Sequence, residues 1–502
     1  MSTQISIYKK IEEIIKKEGQ LPENFEAEER NYADDELRFA PGALEGILGH
    51  HSSGEGGKTE FLTTLKKYIA MTEQEAMENF EEEVAKDFKA ATEGQSIIEG
   101  IIENKQEYPA GRVFSIAFHF VENGRKVETV KLGLCLLRLF DVSEEERIRD
   151  LLEILGYCED FTDYVIDNTA LWKEDKRQDL YFKLAKKLHG WGKINVVEML
   201  EADTEEKKEW ILCHGCKNSI LYAYLGGVCA IKSDLYERLK QGNLTEEQMR
   251  GASDIMDGLI DVGPCNSMKE MENPVDLTLS YIEELKNHKI DLVYIDLLYR
   301  LAEYFKNEEY EEEDIINAKV KEITDTVDIR QMVIENIKDN SYMSIQIANA
   351  CNIDLSGQIL ELIRENFSKH FNLCYYLLER EKYVDEFFEL CDEKINEEDY
   401  PKGMGKSFGF GKPENGTVSL EMAVQHLDRF PLKGKKMIKI SINSPITRWR
   451  NMAAKAMLGW VEKLDKKLSE IDMELYLIVE NVVKTECNDT TKEMWEKLLN
   501  KA

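Results

Sequence analysis

The chain has 502 residues; at roughly 150 residues per domain, about three domains are expected. Hydrophobic residues make up 43% and charged residues 32%, which excludes a disordered chain, a collagen-like fibre and a disulfide miniprotein. Lys and Arg number 65 against 97 Asp and Glu, for a formal charge of -32; such a surface repels phosphate backbones, so nucleic acid is not the expected ligand.

In MSTQISIYKKIEEIIKKEG, Ile7, Ile11, Ile14 and Ile15 recur at helical spacing, while Lys9, Lys10, Lys16 and Lys17 interrupt any apolar run. The segment reads as an amphipathic helix and not as a signal peptide. No stretch reaches the ~18 consecutive apolar residues of a membrane span. The 10 cysteines are scattered without paired spacing, which points to a reducing cytoplasm.

Residues 20–60 are acidic, then rich in glycine (Gly42, Gly46, Gly49, Gly54, Gly56, Gly57). They carry two motifs. The first, SSGEGGKT (52–59), lacks the first glycine of a P-loop, because Ser52 stands there, and no β-branched strand leads into it. The second is the dyad His50–His51, which with Glu45, Gly49 and Glu55 forms the candidate ligand-binding set, since neighbouring imidazoles and carboxylates suit metal or proton chemistry. Adjacent residues point apart on a regular element, so the alternative is a loop that caps the first helical pair.

Only nine prolines occur, none between Pro109 and Pro264 or between Pro274 and Pro401. Proline costs about 3 kcal/mol inside a helix, so these stretches are expected to be nearly continuous helices. Ile148, Leu151, Leu152 and Leu155 form one stripe, with Ser143 and Glu146 as an expected capping box. Leu180, Leu184 and Leu188 form a second; Ile359, Leu360, Leu362 and Ile363 form a third. Cys213, His214 and Cys216 make a C-H-G-C group that lacks the second ligand pair a structural zinc needs, so packing is the expected role. IDLVYID (290–296) continues at helical spacing through Leu297, Leu298, Leu301 and Phe305. After Asp328 short helices follow in quick succession, which favours stacked hairpins over a four-helix bundle.

The loop 401–417, PKGMGKSFGFGKPENGT, contains GKSFG around Ser407, but no strand-to-helix elbow surrounds it. MIKISIN (437–443) alternates like a strand among helical segments and is left ambiguous. Residues 401–440 hold Lys402, Lys406, Lys412, Arg429, Lys433, Lys435, Lys436 and Lys439 against Glu414, Glu421 and Asp428. This local reversal of charge makes the seven lysines candidates for binding an acidic partner.

KLHGWGKINVVEML (187–200) and WILCHGCKNSILYAYL (210–225) resemble the HGWGRIHAVERL and WLL…GC.N segments of bacterial HEAT-like α-solenoid proteins. VKLGLCLLRLF (130–140), SPITRWRNMAAKAMLGW (444–460) and RFAPGALEGILGHH (38–51) resemble further segments of that group, with Arg450 followed by the small residues Ala453, Ala454 and Ala456. Asn195 stands where the group often has His. Some related sequences carry the label limonene hydroxylase, yet no cysteine here lies in a haem-binding loop.

The expected fold is therefore all-α, a HEAT-like solenoid of short antiparallel helix pairs stacked with a right-handed turn. Its expected divisions are an N-terminal region 1–105, a repeat block 106–263, an elbow 264–275, a second block 276–400, the loop 401–417 and C-terminal repeats 418–502. The function expected is a cytoplasmic, non-catalytic scaffold or adaptor with a protein partner and no cofactor or membrane association. The alternative is an enzyme or a small-molecule or metal binder centred on the GHH segment.

Overall fold

The computed structural model describes residues 5–28, 39–51, 60–261, 263, 266–339, 341–407, 409 and 417–500. These residues are all-α, as their periodicity predicts; the described part contains no β-sheet, only an isolated parallel bridge between Ser407 and Ile446. No described helix is long and apolar enough to cross a membrane. The described chain falls into two compact units, the first ending at Val327 and the second beginning at Asp328.

In the first unit helices pack on their successors and on the helix after next. Ala110–Asn123 turns at Gly124 onto Val127–Leu137, which packs on Thr162–Asn168, and that helix packs on Trp191–Met199. Pro274–Leu285 and Leu292–Asn307 both pack on Glu313–Thr324. Val127–Leu137 is buried on nearly every side, as an all-round apolar helix must be. A Cβ on Gly133 would stand 2.8 Å from Val121 Cγ2 and 2.9 Å from the Ala117 carbonyl oxygen, so glycine sets how closely this pair approaches.

Capping boxes close the N-termini at Thr72–Glu75 and Thr245–Gln248. The box expected at Ser143 and Glu146 is not formed. The Asp141 carboxylate accepts the Ser143 N–H at 3.0 Å, Arg149 donates to the Ser143 carbonyl at 2.7 Å, and the helix starts later, at Glu146. A local side-chain turn has outcompeted the cap.

The carboxyl ends of several helices are closed by a basic residue from further along the chain. Arg112 donates to the Ile69 and Met71 carbonyls after Phe61–Ile69. The Lys232 ammonium donates to Val197, Glu198 and Leu200 carbonyls at 3.1, 2.6 and 2.8 Å. These contacts satisfy the last carbonyls of a helix, which have no partner within it.

In the second unit Lys435–Ile442, Glu421–Val424 and Asp489–Asn500 all pack on Thr447–Leu464. The ambiguous MIKISIN segment is helical through Ile442, within Lys435–Ile442, and Asn443 caps the helix. With no neighbouring strand among the described residues, its backbone is satisfied mainly by helical hydrogen bonds. The loop before it is tied down at Gly403, whose N–H reaches the Asn443 carbonyl at 2.9 Å, and at Ser407, whose carbonyl accepts the Thr447 N–H at 2.9 Å.

Candidate functional site

Within RFAPGALEGILGHH, residues Ala43–His51 form a helix, where a capping loop was the alternative reading. It lies against Trp191 because Gly46 has no side chain: a Cβ there would stand 2.1 Å from the indole Cε3. The two histidines end this helix and share one tyrosine. His51 Nε2 lies 2.7 Å from the Tyr224 hydroxyl, and the His50 ring lies 5.1 Å from the Tyr224 ring and 5.9 Å from Trp191. His50 Nε2 also stands 3.7 Å from Glu198 Oε2. Gly49 is exposed, and a Cβ there would touch nothing. Glu55 and the P-loop-like segment 52–59 lie outside the described residues; the element leading into them is this helix, not a strand.

Glu45 does not join the histidines. Its buried Oε1 accepts from Lys131 at 2.6 Å and from the Tyr164 hydroxyl at 2.8 Å. Burial opposes the Lys131 charge, yet Glu45, Glu128 and Asp160 together hold its ammonium above the ordinary lysine range. Close by, burial pushes the Asp163 carboxyl up to about 6, with Asp167 and Glu45 adding to the rise. Asn195, at the position where the resembling group often has His, donates to Asp163 at 3.2 Å.

The HGWG and CHGC segments instead wall an open cleft of about 950 Å³ in the first unit. The Glu159 carboxylate accepts the N–H groups of His189, Gly190 and Gly192 at 2.8, 2.7 and 2.6 Å, closing the positive end of the helix Trp191–Met199. The Ser219 N–H reaches the His189 carbonyl at 2.7 Å and joins the two turns. Lys193, nearly buried, donates to the His214 and Lys217 carbonyls at 2.9 and 2.5 Å and stands 5.6 Å from the Trp210 ring centroid. Burial holds its ammonium below the ordinary range.

The CHGC cysteines diverge on the π-helical turn Ile211–Gly215 and the residue after it. Cys213 Sγ lies 3.9 Å from Glu209, whereas Cys216 is buried and reaches the Asp254 carbonyl at 3.3 Å. Among the described residues no group of three His, Cys, Asp or Glu side chains is arranged to hold a metal ion.

Lys402, Lys433, Lys435, Lys436 and Lys439 are engaged within the second unit. Lys402 pairs with Glu398 at 2.9 Å, Lys433 with Asp385 at 2.7 Å, and Lys435 with Asp472 and Glu474 at 2.6 and 2.8 Å. Lys439 also pairs with Glu474, and Lys436 caps Val384–Lys394 through the Asp392 and Ile395 carbonyls. Lys406 is exposed; Lys412 lies outside the described residues. The Ser407 hydroxyl oxygen accepts the Gly409 N–H at 3.1 Å.

No protein-family model, curated protein or solved structure matches the chain.

Proposed function

We infer that the chain is a non-catalytic scaffold or adaptor that binds a protein partner through the cleft of its first unit. The observation that carries this reading is the cleft itself. About 950 Å³ of open space lies between the turns Leu21–Phe25, Lys186–Gly190 and Lys217–Tyr222, and turns between packed helices are where binding residues gather on a rigid frame. The resemblance to HEAT-like solenoids supports the same reading, because stacked helix pairs present extended surfaces to proteins.

The test is cross-linking of the tagged full-length chain in its native cell, followed by mapping of the linked lysines. The expected result is one recurrent protein linked to Lys186, Lys187 or Lys217. Links spread evenly over the surface, or turnover of a small molecule by the purified chain, would overturn the assignment.

A further inference from the structure

The cleft carries a charge opposite to that of the protein around it. Its described lining contains Lys187, Lys193 and Lys217, with Lys186 paired to Glu206 at 3.5 Å, against Glu23 and Glu159, on a chain whose formal charge is -32. Glu159 accepts from three backbone N–H groups and keeps its charge, which leaves the lysines in excess. Lys187 donates to the Gly19 carbonyl and stands 4.9 Å from the Tyr157 ring centroid, while Lys193 is held by two carbonyls and an indole. Carbonyl dipoles and ring faces stabilise an ammonium without cancelling its charge, so both lysines project positive potential into the space above them. Lys217 is exposed at the rim, and its charge is one of the contributors that hold the Lys193 ammonium below its ordinary range, after burial. An anion placed between the two relieves that repulsion.

The geometry points to this cleft as the binding site for a carboxylate-bearing peptide segment, with Lys217 as the exposed anchor above the fixed charges of Lys187 and Lys193. The proposal rests on the protein-binding reading and names the chemistry that reading leaves open. Two further features favour a short peptide. The half-buried Phe25, Trp210 and Tyr222 give the cleft apolar walls for the neighbours of a carboxylate. Fields are screened beyond about 8 Å at physiological salt, so a segment inside the cleft meets the local lysines, whereas a long polyanion meets the acidic surface as well.

The experiment measures anisotropy of a fluorescent octapeptide of alternating Glu and Leu on the full-length protein. Parallel arms use the same peptide amidated at its C-terminus and the same peptide with Gln for Glu. The acidic peptide is expected to bind saturably, and Lys217→Glu to weaken it by about tenfold or more. Lys67→Glu, an equal charge change at an exposed position elsewhere in the first unit, is expected to leave binding unchanged. Loss on amidation identifies the terminal carboxylate as the ligand, and loss with Gln identifies the side chains; either supports the proposal. Failure of every peptide to bind, or binding indifferent to Lys217→Glu, overturns it. A cross-linked partner that persists on the Lys217→Glu chain while no peptide binds removes the carboxylate site and leaves the scaffold standing.

Discussion

Arg450 and Glu486 form a buried two-pronged ion pair, Nε to Oε2 at 2.8 Å and Nη2 to Oε1 at 2.7 Å, with neither side chain exposed. Arg450 also donates to the Ser444 and Gly405 carbonyls at 2.8 and 2.9 Å, and the Trp495 indole N–H donates to Glu486 at 3.2 Å. One guanidinium thus joins the glycine loop to the helix Thr447–Leu464 and, through Glu486, to the last described helix. Although burial opposes ionisation, Arg450 and the N–H groups of Asn488 and Trp495 hold the Glu486 carboxyl below its usual range. Its stabilising contribution is therefore present above the ordinary carboxylate range and is lost as pH falls through the lowered value. Glu486→Gln leaves a buried cation without its counter-charge and is expected to cost about 3–5 kcal/mol. Urea unfolding at pH 7 checks this; an unchanged midpoint would refute it.

Asp163 has the opposite sign. Its folded value is pushed up to about 6 from 3.8, so the unfolded chain releases this proton first and the folded state loses stability as pH rises through that window. Asp163→Asn is expected to stabilise the protein at pH 7 by about 2–3 kcal/mol, from a shift of about two units at 1.36 kcal/mol each. The two proteins should converge in stability below pH 4. Thermal melts across pH 4–7 show whether the gap opens as expected.

Gly46→Val drives a side chain into the Trp191 ring and is expected to cost about 1–3 kcal/mol. The damage should be local. Hydrogen exchange should speed up over Ala43–His51 while Val127–Leu137 stays protected, and equal exchange in variant and parent would count against the contact.

The lysines of 401–440 are separable by role. Lys436→Met removes two carbonyl contacts and is expected to cost about 1–2 kcal/mol. Lys406→Gln, at an exposed position, is expected to change stability by less than about 0.5 kcal/mol. Denaturation of the two single variants side by side checks the contrast; equal losses would contradict it.

The helices were legible because stripes such as Leu180, Leu184 and Leu188 and the absence of interior proline act locally. One local reading failed, and one stayed open in the sequence. Asp141 captured the Ser143 N–H before a capping box could form, and MIKISIN alternates like a strand yet is helical through Ile442. The boundary at Val327 and Asp328 bears no proline or glycine signal. The cleft was the least legible feature, since Lys187, Lys193 and Lys217 converge only in space. Its one trace in the sequence was HGWG, whose glycines bring backbone N–H groups to Glu159. The expected ligand set of Glu45, His50 and His51 does not converge: Glu45 turns to Lys131 and both rings turn to Tyr224.

The basic side chains that close earlier helices impose a direction in time. Lys232 follows Leu200 by 32 residues, Arg112 follows Ile69 by 43 and Lys436 follows Ile395 by 41. During synthesis the carbonyl end of each such helix leaves the ribosome before the residue that satisfies it. At about 5–20 residues per second, each end waits some seconds in water for its lysine or arginine. The nascent chain therefore matures behind a moving front, and a ribosome paused within one of these intervals holds out a helix whose last turn is still open.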